Sequence, residues 1–343
     1  CRLGYEAPVA VENCQLGSGV DLKGGYFKQA VFLDGASCGS GAHVREATIL
    51  EEGAGIAHAV GLKQTILFPF VTLGSLINFC DVLMAGGTDP KNHSEVGSSY
   101  IHFNYTPNQD KATASLLGDV PRGVLLNQPP IFLGGQGGLV GPCRIEYGTV
   151  IAAGTIQRKD QLRPNRLIVG GGTKAMNLPF ESGNFRGDKR IVQNNLLYIA
   201  NLVALGQWYQ HVRSLFVSPD TFPQPLFEGL QEKLRMAIEE RIKRLKQLAK
   251  KMQAAGTQRG RMLTEKWEAL EAIIRQAPDV DGEIRARDVC LKQLNHLKSA
   301  HGNAYIPVIR SLDDQAAGSV VKWLQSVVNG KVEKALAAIS FYR

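Results

Sequence analysis

The first half of the chain repeats with a period of six. Frames of six taken from Val20 read VDLKGG, YFKQAV, FLDGAS, CGSGAH, VREATI, LEEGAG, IAHAVG, LKQTIL, FPFVTL, GSLINF and CDVLMA. Most open on an apolar or small residue: Val20, Tyr26, Phe32, Cys38, Val44, Leu50, Ile56, Leu62 and Phe68. Small residues recur at the fourth and fifth positions, as in Gly35-Ala36, Gly41-Ala42 and Gly53-Ala54. This pattern predicts a three-sided coil. Each side is a short strand whose leading apolar side chain points into a prism, and small residues sit at corners where glycine tolerates unusual dihedrals. One coil cannot bury its own sides, so coils stack into a thin continuous core. The repeat breaks over residues 84–96 and 102–130. It shows in EVGSSY (95–100) and resumes over 131–156, where Leu133, Leu139, Ile145 and Ile151 stand six apart. Phe32, Val44, Leu50, Ile56, Leu62, Leu139, Ile145 and Ile151 are the expected prism core. Insertions in solenoids project to one side and often carry the binding surface.

After Asp160 the period ends. Residues 161–190 are rich in Gly, Asn and Pro, and the Gly170-Gly171-Gly172 triplet lacks the Lys-Ser/Thr that a phosphate-cradling loop needs, so it reads as linker. From Ile191 the spacing turns helical, with Leu196, Ile199, Val203, Trp208 and Val212 on one stripe. A long helix is predicted over 226–255, with Leu230, Leu234, Ile238, Ile242, Leu245, Leu248 and Met252 on one side and Gly256 as its stop. Further helices are expected near 262–276, 284–300 and 315–340. The predicted organisation is a β-solenoid over 1–160, a linker over 161–190 and an all-α domain over 191–343.

Composition narrows the class. The 343 residues (37.3 kDa) are 44% hydrophobic and 20% charged, which fits two folded domains rather than a disordered chain. No apolar run is long enough to span a bilayer; the longest, residues 65–79, is broken by Pro69 and Gly74. The chain starts at Cys1 without a signal-peptide pattern and so reads as a fragment or a processed chain. Its six cysteines, Cys1, Cys14, Cys38, Cys80, Cys143 and Cys290, form no C-x-x-C pair. That argues against a zinc site and for reduced thiols in a cytoplasmic protein. Charge is uneven: residues 1–165 carry 12 basic and 14 acidic side chains, residues 166–343 carry 27 and 17. Acids interleave with the bases, as in Glu239-Glu240-Arg241-Ile242-Lys243-Arg244, so solvated helix faces are expected in preference to a nucleic-acid surface.

The repeat, followed by VGLKQTIL, GSLINFCD, HFNYTPNQDKAT and FLGGQGGLVGPCRIEYGTVIAAGTI, resembles the acetyltransferase half of the bacterial bifunctional enzyme family that makes UDP-N-acetylglucosamine. The resemblance covers about residues 35–157 and not the helical half. A tie over both halves is suspected to proteins related to UDP-N-acetylglucosamine pyrophosphorylase. The resemblance implies a left-handed parallel β-helix of hexapeptide repeats that forms a homotrimer, uses acetyl-CoA and acts on a sugar phosphate in a cleft between subunits. By the same resemblance Arg45 and Lys63 match two cations of the sugar-phosphate site, and Asn104-Tyr105 match a pair that helps hold the ligands. Ala153 matches an alanine whose backbone meets the cofactor. An Arg and a Lys suit a phosphate dianion, which is best held by charge-assisted donors. Their separation of three hexads, one full turn, predicts that they stand one above the other.

The departures bear on the chemistry. Where the family carries its catalytic His this chain has Ser75, and where it carries a phosphate-binding Tyr it has Asn78. Glu95 stands for an Asn, and Gly135 for a cofactor-contacting Ser. A serine is no general base near neutral pH. His58, His93 and His102 lie in or near the repeat, and His102, just before the Asn-Tyr pair, is the candidate replacement; Asp81 and Glu95 are carboxylates in the same zone. For each of these, a coil-surface or solvated role is the plainer expectation. Two functions compete: a transferase that binds a sugar phosphate or nucleotide sugar, and a non-catalytic ligand-binding scaffold whose helical half holds a partner. Nucleotidyl transfer would need a Gly-rich uridylyltransferase domain, and these 343 residues show none. No metal, membrane or nucleic-acid partner is expected.

Overall fold

Short strands stack in parallel along the first half and form the three faces of a prism; of the eight α-helices among the described residues, one short helix lies within the solenoid and seven follow it. The computed structural model describes residues 1–170, 177, 179, 183–277 and 284–343, apart from the side chain of His301. The first face has nine strands, from Arg2–Leu3 to Leu167–Ile168. The second has eight, from Val9–Glu12 to Ile156–Gln157. The third has seven, from Gln15–Leu16 to Arg144–Ile145. The fold is a left-handed parallel β-helix joined to an all-α half. All eight residues expected in the prism core are buried.

The six-residue frame nevertheless drifts. Tyr26 opens a frame, but Phe27 is the neighbour of Val44 in the core row, while Tyr26 stacks outside on His43 with ring centroids 5.2 Å apart. After Leu62 the inward residues are Leu67, Leu73 and Phe79, not Phe68, Gly74 and Cys80. Leu67 pairs with Leu50, so this coil falls one position short of three full hexads. The corners also differ from the expected small residues. Each needs a positive φ, yet Gln29, Ala59, Gln64, Phe70, Leu76 and Asp81 occupy such corners as readily as Gly35 and Gly53. A non-glycine residue there costs on the order of 1 kcal/mol. Backbone hydrogen bonds from coil to coil hold them, as Gln64 N to Glu46 O and Asp81 N to Lys63 O, both 3.0 Å.

Both interruptions of the repeat are real. Leu73 pairs with Val96 and Val96 with Leu133, so each of these coils carries an insertion, and the second is the longer. The first holds a hairpin of Gly87–Asp89 and Asn92–His93. The second holds a loop over 104–114, the third-face strand Ser115–Leu117 and the short helix α1 (Val120–Gly123), capped by Asp119 accepting from Arg122 N at 2.9 Å.

The solenoid runs past residue 160, since Leu167–Ile168 still pairs with Val150–Ile151. Of the glycine triplet only Gly170 is among the described residues. The helices that follow are α2 (Asp188–His211), α3 (Gln224–Ala254), α4 (Gln258–Glu265), α5 (Trp267–Arg275), α6 (Ile284–His301), α7 (Tyr305–Arg310) and α8 (Asp314–Ala338). The single helix expected near 262–276 is two, broken at Lys266. Helix α7 leaves no periodic signal in the sequence, being under two turns long.

The third face decides how the halves meet. Its outward row, Val31, Ile49, Ile66, Leu83 and Leu116, is as apolar and as buried as its inward row. Helices α2 and α3 pack against this face, and one hydrophobic cluster runs through both halves. Charge follows the same seam. Arg213, just after α2, is 1% exposed and donates to Glu51 (3.1 Å) and to both oxygens of Glu52, while Tyr209 OH donates to Glu51 at 2.5 Å. The Tyr305 ring lies 3.5 Å from the guanidinium. Arg241 of α3, expected on a solvated face, is buried and binds Asp81 at 2.5 Å.

Removing one partner of a buried ion pair strands the other charge, at a cost of about 3–5 kcal/mol. Arg213→Ala should therefore destabilise the protein by about that much in urea unfolding. Adding Glu51→Gln and Glu52→Gln should recover part of the loss. An unchanged midpoint for Arg213→Ala would show that the cluster does not hold the halves together.

Candidate functional site

Register on the second face brings several of the expected residues together. Val44 pairs with Leu62, and Arg45 N donates to Leu62 O at 2.8 Å, so Arg45 and Lys63 lie side by side on adjacent coils. Strand alternation turns both side chains outward, since Val44 and Leu62 point in. On the next coil Asn78 pairs with Gly61 and Cys80 with Lys63. Asn78 is exposed, and its Oδ1 accepts from Cys80 Sγ at 3.6 Å. Burial pushes the Cys80 thiol up, which keeps it protonated and a poor nucleophile.

The two cations are not equivalent. Lys63 Nζ binds Glu46 at 2.6 Å. Burial pushes the Glu46 carboxyl up, but Lys63 and Arg45 outweigh it and hold it below the usual carboxylate range. Arg45 keeps a buried Nε with no hydrogen-bond partner. Beside this pair an open cleft of about 670 Å³ separates Glu46 and Gln64 from Arg235, Glu239 and Lys243 of α3.

Asn104 and Tyr105 follow the next second-face strand, Ile101–Phe103, which pairs with Asn78 through Ile101. Asn104 is half-buried and Tyr105 is 67% exposed. Their loop is tied to the helical half. Lys251 Nζ donates to Asn108 O (3.1 Å) and Gln109 O (2.8 Å), and Asn195 Nδ2 donates to Ala112 O (2.9 Å).

Ser75, Gly135 and Ala153 belong to a second group, at the corner between the first and second faces. Extending the pairings Ile56–Leu73, Leu73–Val96, Val96–Leu133 and Leu133–Ile151 by two positions gives one column: His58, Ser75, Ser98, Gly135, Ala153. Ser75 Oγ lies 2.7 Å from His58 Nδ1, and Ser75 N donates to Ser98 Oγ at 3.1 Å. Gly135 is forced by the stacking, because a Cβ there would sit 2.7 Å from Ser98 O. Sequence reasoning does not bring His58 and Ser75 together. The signal that could have done so is their separation by a single uninterrupted coil.

His102 does not stand at the cleft. It occupies the inward row of the second face, paired with Leu139, and is 2% exposed. Its Nδ1 lies 2.5 Å from Cys80 O and its Nε2 2.8 Å from Ser115 Oγ. It is a satisfied core histidine, and burial pushes its pKa down to about 4. His93 lies in the hairpin with Nδ1 3.2 Å from Ser94 O. Asp81 is buried against Arg241, and Glu95 is exposed on the first face. Among the described residues no cluster of three or more His, Cys, Asp or Glu could hold a metal, and no helix is long and apolar enough to cross a membrane.

Comparison with known proteins bears on the solenoid half. No family profile matches the chain. It is 25% identical over 160 residues to the bifunctional protein GlmU of Thermotoga maritima, covering 47% of this chain and 32% of that protein. It is 26% identical over 165 residues to GlmU of Geotalea uraniireducens, covering 48% and 32%. The solenoid half resembles GlmU. The chain spans about a third of the length of these curated relatives. Among solved structures, the polysialic acid O-acetyltransferase OatWY is similar at 11% identity and a TM-score of 0.19, covering 52% of this chain and 94% of that one.

A histidine whose folded pKa lies below its unfolded value binds fewer protons when folded, so stability is full above the unfolded pKa and falls as pH drops. For His102 the window runs from about 6.5 down to about 4, and the loss is on the order of 3 kcal/mol. Urea midpoints measured across that window should fall with pH in the wild type. They should fall much less steeply in His102→Gln; an equal slope in the variant would reject this assignment.

Proposed function

We propose that the solenoid is an acyltransferase-type β-helix that binds a sugar phosphate or nucleotide sugar on its second face, with acetyl-CoA as the acyl donor and a place in UDP-N-acetylglucosamine metabolism. The observation that carries the reading is the side-by-side pair of Arg45 and Lys63, one of whose buried donors, Arg45 Nε, has no partner. A phosphate dianion entering here gains charge-assisted hydrogen bonds from Arg45 and draws Lys63 from Glu46. Asn78 and the exposed Asn104-Tyr105 pair are the groups that would meet the sugar or the donor. Gly135 and Ala153, which carry little or no side chain, would let the donor's pantetheine arm approach the backbone.

Assembly enters the proposal for a physical reason. Helices cover the third face, so copies of the chain must meet through the other two. Those faces expose Ile101, Phe103, Phe132, Val150 and Ile156 at 38–44%, an apolar supply suited to a homotrimer contact. Native mass spectrometry at micromolar concentration should show trimers; a monomer would overturn this part.

A second reading is a ligand-binding scaffold without turnover. The ion pair between Lys63 and Glu46 favours it, since the cation is already satisfied before any ligand arrives. Calorimetry with glucosamine-1-phosphate and UDP-N-acetylglucosamine separates the readings from a protein that binds neither. Arg45→Ala and Lys63→Ala should each weaken binding by about 1.5–3 kcal/mol, roughly 10- to 150-fold, without lowering the unfolding midpoint. Unaltered affinity in both variants would remove the second face as the site. Release of CoA thiol on adding acetyl-CoA supports the transferase; binding without release supports the scaffold.

A further inference from the structure

The described histidines of the solenoid differ in what their rings can do. His43 is stacked on Tyr26, His93 is tied to its own hairpin and His102 is sealed in the core. His43 and His58 are both exposed, but of the two only His58 has a ring nitrogen held by a side-chain hydroxyl, its other nitrogen being without a hydrogen bond among the described residues. The holding is over-determined. Leu76 N donates to His58 O at 3.0 Å, Ser75 N donates to Ser98 Oγ, and Ser99 N donates to Ser75 O at 2.8 Å. Three successive coils thus lock the serine against the imidazole. Past Ser98 the column continues in Gly135 and Ala153, so the polar trio borders an open stretch of backbone. His58 also precedes Lys63 by five positions on the same coil, about 18 Å at full extension and less across a corner.

We propose that His58 is the general base of this site and that Ser75 is its positioning residue. With Ser75 Oγ accepting from His58 Nδ1–H, the proton is fixed on Nδ1 and the lone pair of Nε2 is left free. This rests on the acyl-transfer reading above. The amine nitrogen of an amino-sugar phosphate attacks the carbonyl carbon of an acyl thioester, forming the C–N bond. Nε2 takes the proton that this nitrogen loses. As the C–S bond breaks, the departing thiolate takes a proton from the imidazolium, which returns His58 to its starting state and releases a thiol and an amide. No metal or redox partner enters. Serine at position 75 is then not the remnant of a lost base but the acceptor that sets the tautomer of a base one coil away.

Two measurements test this. Histidine-selective ¹⁵N NMR of the whole chain reads the tautomer without any turnover. His58 should carry its proton on Nδ1, Ser75→Ala should shift it toward Nε2, and Ser75→Thr should restore it. A wild-type His58 protonated on Nε2 overturns the proposal. Thiol release from acetyl-CoA with glucosamine-1-phosphate reads the chemistry. His58→Ala should lower kcat by about 10²–10⁴ with KM for the sugar little changed. Ser75→Ala should lower kcat and alter its pH profile, and Ser75→Thr should recover both. Turnover that survives His58→Ala removes the base role and leaves acyl transfer standing. A wild type that binds the sugar phosphate but releases no thiol overturns acyl transfer and the base role together.

Discussion

The third face of the prism is apolar on both sides, and the architecture follows from covering its outer side. A solenoid coil satisfies its backbone by stacking and its inward row by filling the prism. The outward row Val31, Ile49, Ile66, Leu83 and Leu116 has no such solution within the coil. Each such side chain left in water forfeits roughly 1.5–3 kcal/mol of burial. Helices α2 and α3 are the cover. The helical half is therefore part of the solenoid's core and not an appendage, which accounts for one hydrophobic cluster running through both.

Covering a β-face with helices also buries whatever polar groups lie along the seam. Glu51, Glu52 and Asp81 come from solenoid corners, and Arg213 and Arg241 from the helices. Burial pushes the carboxyls of Glu51 and Asp81 up, against the pull of their arginines. Such pairs add little net stability over an apolar contact, but they punish any misplacement by a strand register or a helical turn. The uneven charge of the two halves is thus partly a matter of fit, with cations of the helical half meeting acids and carbonyls of the solenoid. Lys251 extends this to the loop of Asn104 and Tyr105, so the helical half reaches the candidate site by ordering its loop.

The repeat was legible because it is imposed by geometry at every turn. The drift of its frame was not, since coils that differ by a position or two close equally well once a corner is shortened. That drift explains the misreading of His102. In a strand this short, inside and outside alternate at each position, and a frame restarted after an insertion has no memory of parity. Arg45 and Lys63 were placed well because no insertion separates them. Arg241 looked like surface charge because its partner, Asp81, lies far off in the chain, on one of the solenoid's own corners.

A solenoid changes what a missing residue means. Successive coils are about 4.8 Å apart, comparable with the reach of a side chain. A side chain moved along the sequence by one whole coil still addresses nearly the same region of the same face. In most folds such a displacement would carry it elsewhere. Equivalent positions in this architecture are therefore columns, not single sites. Position 75 taken alone reads as a lost histidine. The column His58–Ser75–Ser98 keeps an imidazole, adds a hydroxyl that orients it, and anchors both through the coil above. Under the proposed base role, a substitution that removes a base from one coil is compatible with acyl transfer as long as the column still holds one, and the hydrogen bond between Ser75 and His58 is the contact on which that role depends.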